Sequence, residues 1–287
     1  MVSSSQPHHP SLDLAAAVRL AEGAEAEFMI AMAAGAPPDV QAELRMSQVR
    51  LGGGVVVAMG GDPTGGYWNK ALGFGVAEPV TADLVEEVLG VYRGAGSAAA
   101  VLQVAPSVLP EDWEEICARH GIVAGGTWVK LLRATALEPA QASSSLRVEP
   151  LGPRDAAAWA HAYCVGFGMP ELPPLVAMME AGTDTRAGFH PYGAWDGDSL
   201  VAAANLHVAG PAGAFCGAAT LPEARGRGAQ SMFMLVRLQA ARAIGLEWVS
   251  AETWQEGEGQ HNASLHNMLR AGFFEAYSRT NWVWRAP

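Results

Sequence analysis

The chain is 287 residues long and carries a formal net charge of −11; half of it is hydrophobic and 16% is charged. That length accommodates one large domain or two ordinary ones, and the composition is that of a globular chain with a substantial core, not of a disordered one. The acidity repels a phosphate backbone and so argues against nucleic acid as a partner; it suits a cationic substrate such as an amine, and solubility alone also accounts for it. Cys117, Cys164 and Cys216 are odd in number and far apart, which offers neither a disulfide framework nor metal-ligand spacing, and no metal is expected. No basic, apolar leader opens the sequence and no apolar run reaches the length of a bilayer span. A cytoplasmic protein without membrane contact is expected, as a monomer or homodimer.

Residues 1–10 are dominated by Ser, Pro and His and read as a disordered tail. From Leu12 to Ala34 small and apolar residues mix with spaced Glu and Arg, predicting one long helix or two short ones with Ser11 as N-cap. The apolar runs Val55-Val56-Val57 and Leu72 to Val76 read as buried strands, with turns at Gly52–Gly54 and Gly65-Gly66. Residues 134–145, ATALEPAQASSS, are small and polar and make the best linker. They divide the chain into a first domain, 11–133, and a second, 146–287.

The two halves repeat an order of elements. In the first, a helical pattern (Ala82 to Arg93) leads through Gly96 to the strand AAAVLQV, then to a helix ending Arg119-His120-Gly121-Ile122, and a strand with Trp128-Val129 closes it. In the second, a helical pattern (Gln230 to Ile244) leads through Gly245 to LEWVSAET, then to a helix ending Arg270-Ala271-Gly272-Phe273, and a strand with Trp282-Val283 closes that one.

The stretch that carries chemistry is a small-residue strand (Ala214 to Thr220), then Arg225-Gly226-Arg227-Gly228-Ala229-Gln230, then an amphipathic helix with Met232, Phe233, Leu235, Val236 and Leu238 on its apolar face. A strand, a glycine-rich loop and a helix start suit an anion: glycine lets the backbone approach, free N–H groups point outward, and the helix dipole stands behind them. Neither G-x-x-x-x-G-K-[ST] nor G-x-G-x-x-G is present. The stretch resembles the pyrophosphate loop of the GNAT acyltransferase superfamily, Q/R-x-x-G-x-G/A, with Arg225 and Gly228 matching and Gln230 in place of the final small residue. The Asn262-headed helix ending in Gly272-Phe273 and the closing strand extend the resemblance over 146–287.

The resemblance implies an α/β (α+β) chain of two tandem GNAT-like domains, each a mixed, mostly antiparallel sheet flanked by helices. It implies acetyl-CoA (coenzyme A) as cofactor and N-acetylation of a small-molecule amine by direct attack on the thioester. Ala218, Ala219 and Thr220 would pair with the pantetheine arm, and Gly226, Arg227, Gly228, Ala229, Gln230 and Ser231 would hold the pyrophosphate, aided by the Arg225 charge. Asn262, Ser264 and Asn267 would flank the arm. The family's usual tyrosine, four residues before the Gly-Phe glycine, is Met268 here; Ser264 and Tyr277 are the nearest hydroxyls for the acid. Glu252 is the preferred general base, followed by His207 and His190. Cys216 reads as a small buried thiol. Where the second half has its loop, the first has GFGVAEPVTAD, in which Glu78 and Asp83 repel a diphosphate and Pro79 lacks an N–H. That half is expected to have lost coenzyme binding and to cover the acceptor cleft or stabilise its partner. Two other functions stay open: a different chemistry on the same cofactor, either O-acylation or a longer acyl donor, which a wide apolar pocket around Phe167, Trp195 and Trp254 would support; and a coenzyme-binding sensor or scaffold without catalysis.

Overall fold

Leu14–Ala34 forms one unbroken helix, α1, in the computed structural model of the chain, which describes residues 12–287. Its N-cap is Asp13, whose carboxylate accepts the Ala16 N–H at 2.6 Å; Asp directly before the first helical residue caps as well as Ser does. The expected cap Ser11 and the tail 1–10 lie outside the described residues. The first half continues through α2 (Pro38–Glu43), β1 (Met46–Leu51), β2 (Gly54–Met59), β3 (Lys70–Leu72), α3 (Ala82–Ala95), β4 (Ala99–Gln103), α4 (Trp113–His120) and β5 (Val123–Ala134). The second comprises β6 (Arg147–Pro150), α5 (Ala156–Phe167), α6 (Pro173–Glu180), β7 (Phe189–Asp196), β8 (Ser199–Val208), β9 (Ala212–Ala214), β10 (Ala218–Thr220), α7 (Ala229–Ala243), β11 (Trp248–Trp254), α8 (Ala263–Arg270) and β12 (Phe274–Arg285). The strand expected from Leu72 to Val76 stops at Leu72, because Gly73 and Gly75 turn the chain with φ of +77° and +82°.

The duplication is visible in the pairing. β1, β2 and β3 are successively antiparallel and β3 is parallel to β4; β7, β8 and β9 are successively antiparallel and β9 is parallel to β11. The halves join into one sheet of order β1-β2-β3-β4-β12-β5-β11-β9-β8-β7-β6. Their last strands are exchanged: β12 inserts between β4 and β5, while β5 inserts between β12 and β11. Each half's closing strand therefore completes the sheet of the other.

The core crosses the same boundary. Met29 and Met32 of α1 share one apolar cluster with Val55 and Val57 of the first half and Trp159 and Phe189 of the second. Full burial of such side chains contributes about 1.5–3 kcal/mol each, so the halves stabilise each other through α1 as well as through the exchanged strands. The segment 138–145 has no regular structure and runs back across the start of α7, where the Arg227 carbonyl accepts the Ser144 hydroxyl at 2.7 Å.

Candidate active site

The small-residue strand expected from Ala214 to Thr220 is broken into β9 and β10, and the break makes the site. β9 runs beside β11 as far as Ala214 and Ser250, and the Phe215 N–H donates to the Ser250 carbonyl at 2.8 Å. Gly217 then adopts φ +81°, and a Cβ there would lie 2.0 Å from the Tyr163 hydroxyl, so a side chain at this turn would collide with Tyr163. Beyond it β10 pairs only with β8, and β11 from Ala251 to Trp254 pairs only with β5. The two strands splay, and a cavity of about 470 Å³ opens between them. Phe215, Cys216, Gly217 and Ala218 line one wall of it; Ser250 to Trp254 line the other.

At one end of this wedge stands the N-terminus of α7. Gly228 is its N-cap with φ +87° and no side chain caps the helix. The first intrahelical bond runs from the Met232 N–H to the Gly228 carbonyl at 3.1 Å, which leaves the N–H groups of Ala229, Gln230 and Ser231 without helical partners. The two glycines are needed for different reasons. A Cβ on Gly226 would meet nothing within 4 Å, whereas one on Gly228 would lie 2.3 Å from the Ser143 carbonyl of the crossing segment. The arginine side chains point elsewhere than expected. Arg227 is held by both oxygens of Asp196 at 2.6 and 3.0 Å, which neutralises it. Arg225 donates to the Thr220 and Gly166 carbonyls, each at 3.2 Å; those acceptors are neutral, so its charge still stands at the loop. The Gln230 amide folds back onto the Ala218 carbonyl at 2.9 Å. Ala219 and Thr220 are buried, and the Thr220 hydroxyl has no partner within the protein.

α8 contributes Ser264, Asn267 and Met268 to the cavity. Asn262 does not reach it. Its amide donates to Thr253 Oγ1 at 2.9 Å and the Trp254 carbonyl at 2.6 Å, and its Oδ1 accepts the N–H groups of Ser264 and Leu265. It is a buried N-cap of α8 with its side-chain bonds made within the protein. In the same loop and helix Glu256, His261 and His266 bring ligand atoms within 4.8 Å of one another, a set that could hold a metal ion. His266, on α8, has Nε2 3.1 and 3.2 Å from the Glu256 oxygens and stacks on His261.

The far end of the wedge is charged and buried. Glu25 of α1, Lys130 of β5 and Glu252 of β11 line it. Arg279 of β12 sits behind them, fully buried, with Nη1 2.5 Å from Glu22 and Nη2 2.9 Å from both Glu25 Oε2 and Glu252 Oε2. Lys130 Nζ contacts the same two Oε2 atoms, 3.1 Å from that of Glu252. Burial pushes both carboxyls up, but Arg279, Lys130 and Lys70 hold Glu25 well below its ordinary value. On Glu252 burial and the Glu25 charge prevail, and its pKa is raised. The two neighbouring carboxyls thus titrate as a coupled pair, displaced in opposite directions.

Sequence reasoning placed Glu252 and Ser264 on this cavity's elements, and both line it. Tyr277 is elsewhere: its hydroxyl donates to Glu22 at 2.6 Å, and burial with the Glu22 charge pushes its pKa far up. His207 lies 3.1 Å from the Ala187 carbonyl and packs on Phe189; burial lowers it and His190 alike, and neither lines the cavity. Phe167 and Trp254 stand on its rim, but Trp195 lies under Arg147 instead. Cys216 lines the wall with its pKa pushed up to about 12 by burial. The residues the sequence did not disclose are Glu25, Tyr67, Lys130 and Tyr163. Three of them come from the first half, and only strand exchange and the lie of α1 bring them here. Tyr163, at the broken strand, lies with its hydroxyl 3.5 Å from the Cys216 carbonyl.

No protein-family model matches the chain, and no curated protein matches it. Solved structures do match in shape. A tandem GNAT protein from the clavulanic acid biosynthesis pathway superposes with a TM-score of 0.55 at 15% identity, over 92% of this chain and 96% of that one. A GCN5-related N-acetyltransferase from Kribbella flavida gives 0.52 at 15% identity over 91% and 96%, and one from Sphaerobacter thermophilus gives 0.55 at 14% over 75% and 71%. The chain has the tandem GNAT fold, two halves of mixed sheet and helix joined end to end.

Proposed function

We propose that the protein is an acyl-CoA-dependent acyltransferase, specifically one that moves acetyl from acetyl-CoA to the amine of a small molecule by direct attack. The observation that carries this reading is the splay of β10 from β11 beside an uncapped 15-residue helix. An arm with amide groups can lie in the wedge as an extra strand, and a diphosphate can sit on the free N–H groups of residues 229–231. The open space over Gly226 and the uncompensated Arg225 charge fit such a group. Coenzyme binding is thus assigned to backbone and dipole more than to arginine side chains.

Acetyl-CoA would supply an acetyl group activated as a thioester with a thiolate leaving group. The chain's own residues do the rest. The Glu25–Glu252 unit takes the proton of the incoming ammonium, Glu252 being the member whose raised pKa brings it nearer neutrality. The Cys216 backbone N–H stands at the turn for the developing oxyanion, that of Gly217 being already given to the Phe215 carbonyl at 3.1 Å. Tyr163, whose pKa burial pushes well up, stays protonated and is the hydroxyl beside that turn, which gives the site a donor despite Met268. A sensor without catalysis is the second reading, favoured by Met268 in the cavity wall.

The test is Ser231→Asp. Ser231 is exposed in the first turn of α7, where an anion stabilises the helix but repels a diphosphate. At roughly 1 kcal/mol per charge across about 4 Å of water, two phosphate charges cost about 2 kcal/mol, or about 30-fold in affinity. Calorimetric titration with acetyl-CoA should show that loss with an unchanged or higher melting temperature, and thiol release with an amine panel separates enzyme from sensor. Equal binding by wild type and variant would remove the coenzyme from this loop.

A further inference from the structure

We infer that the acceptor is a primary amine on a short arm from a flat aromatic body, bound against a wall that the first half of the chain supplies. This rests on the acyltransferase reading above and goes on to name the acceptor.

Three of the aromatic side chains lining the cavity come from the first half: Phe28 of α1, Tyr67 from the β2–β3 connection and Trp128 of β5. The second half adds Tyr163 and Phe167 of α5, with ring centroids 4.8 Å apart, and Trp254 at the end of β11. Phe167 and Trp254 remain 46% and 38% exposed, large apolar rings at a cavity mouth where a ligand ring would cover them. Lys70 Nζ stands 4.4 Å from the Tyr67 ring centre and 5.6 Å from that of Trp128, which holds those two rings in place.

The charges are confined to the inner end, and their bonding selects the amine. Glu25 and Glu252 each commit Oε2 to Lys130 and Arg279. Glu25 Oε1 is buried on a side chain only 5% exposed and accepts no hydrogen bond. Leaving a buried acceptor unmet costs on the order of 1–3 kcal/mol, and an N–H from the acceptor's amine would meet it. Glu252 Oε1 lies outside those pairs as well, and the two Oε1 atoms can share the N–H groups of one ammonium. A second ammonium, as on a polyamine, would face Lys130, a cation of the lining, across carboxylates whose Oε2 atoms are already paired. An acceptor bearing a carboxylate or phosphate finds no free cation in the lining either: Lys130 is paired with both carboxylates and Arg237 is spent on the Phe233, Asn205 and Gly217 carbonyls, while Lys70 does not line the cavity. What remains is one amine at the carboxylates and an uncharged flat body between the rings.

The experiment compares 2-phenylethylamine and tryptamine with spermidine and lysine, following thiol release from acetyl-CoA. The aromatic amines should exceed the others in kcat/KM by about 100-fold, the scale set by a buried ring plus the cost of a misplaced charge. Trp128→Leu should raise the aromatic amine's KM about tenfold, an offset or edge contact being worth on the order of 1 kcal/mol, with KM for acetyl-CoA unchanged as the check on folding. Preference for spermidine or lysine overturns the acceptor class and leaves the acyltransferase standing. No thiol release with any amine, while acetyl-CoA still binds, overturns the acyltransferase reading instead. Calorimetry of 2-phenylethylamine on the CoA-saturated protein then decides the pocket: binding weakened by Trp128→Leu supports the aromatic wall, and its absence overturns it.

Discussion

Replacing Arg279 by Met removes the one cation that touches three carboxylates while nearly keeping its length. Its contacts at 2.5, 2.9 and 2.9 Å with Glu22, Glu25 and Glu252 are each worth about 6 kcal/mol gross at an effective dielectric near 20. Most of that is offset by the desolvation the guanidinium no longer suffers, so the net loss should be about 3–5 kcal/mol, the cost of breaking a buried pair. The pH dependence is the sharper signature. In the wild type Glu25 is depressed below its ordinary 4.5, so its contribution is present above that value and lost as pH falls through the folded pKa. Without Arg279 the crowded carboxyls would rise above their unfolded values, and their contribution would be present in acid and lost as pH rises. Urea unfolding at about pH 7.5 and about pH 5 should therefore show the larger deficit at the higher pH. A loss under about 1 kcal/mol, or one equal at both pH values, would refute the idea that this arginine neutralises a buried acid cluster.

Glu252→Gln should lower kcat about 100-fold or more and abolish the acid limb of the rate profile, because the raised pKa of Glu252 means activity falls as it protonates; an unchanged limb would assign the proton elsewhere. Cys216→Ala should leave kcat within about threefold and show no acyl-enzyme burst, since a thiol pushed up to about 12 holds almost no thiolate at neutrality. Gly228→Ala should lower the melting temperature and weaken coenzyme binding together, by a few kcal/mol of strain, because the methyl would lie 2.3 Å from the Ser143 carbonyl at a φ of +87°. Gly226→Ala, with open space around it, should cost about 1 kcal/mol; equal effects at the two positions would mean that the crossing segment does not pack on the loop.

Much of the architecture was legible in the chain because it is local. The uncapped, glycine-headed helix at 229–243 follows from Gly226 and Gly228 before an amphipathic run, and the repeated helix–strand–helix–strand order follows from apolar period and punctuating glycines. Glu252 could be placed because its strand and its neighbour in the loop's half are contiguous in sequence. Other features could not be read this way. Nothing in AFCGAAT announces that the strand breaks at Cys216-Gly217, since the break depends on Tyr163 arriving from α5 against the Gly217 backbone. The sequence does not show that Asp196, 31 residues away, pairs with both Nη atoms of Arg227, nor that the Asn262 side chain is committed to capping α8. The acceptor end was the least readable part. Glu25 to Arg279 spans 254 residues, and no periodicity in either segment foretells the contact. The sequence by itself determined which segments are helices and strands and where an anion can sit, because those rest on neighbours along the chain. Only the tertiary structure decided which charges share the cavity, because exchange of β5 and β12 and the passage of α1 over both halves are long-range pairings chosen by burial.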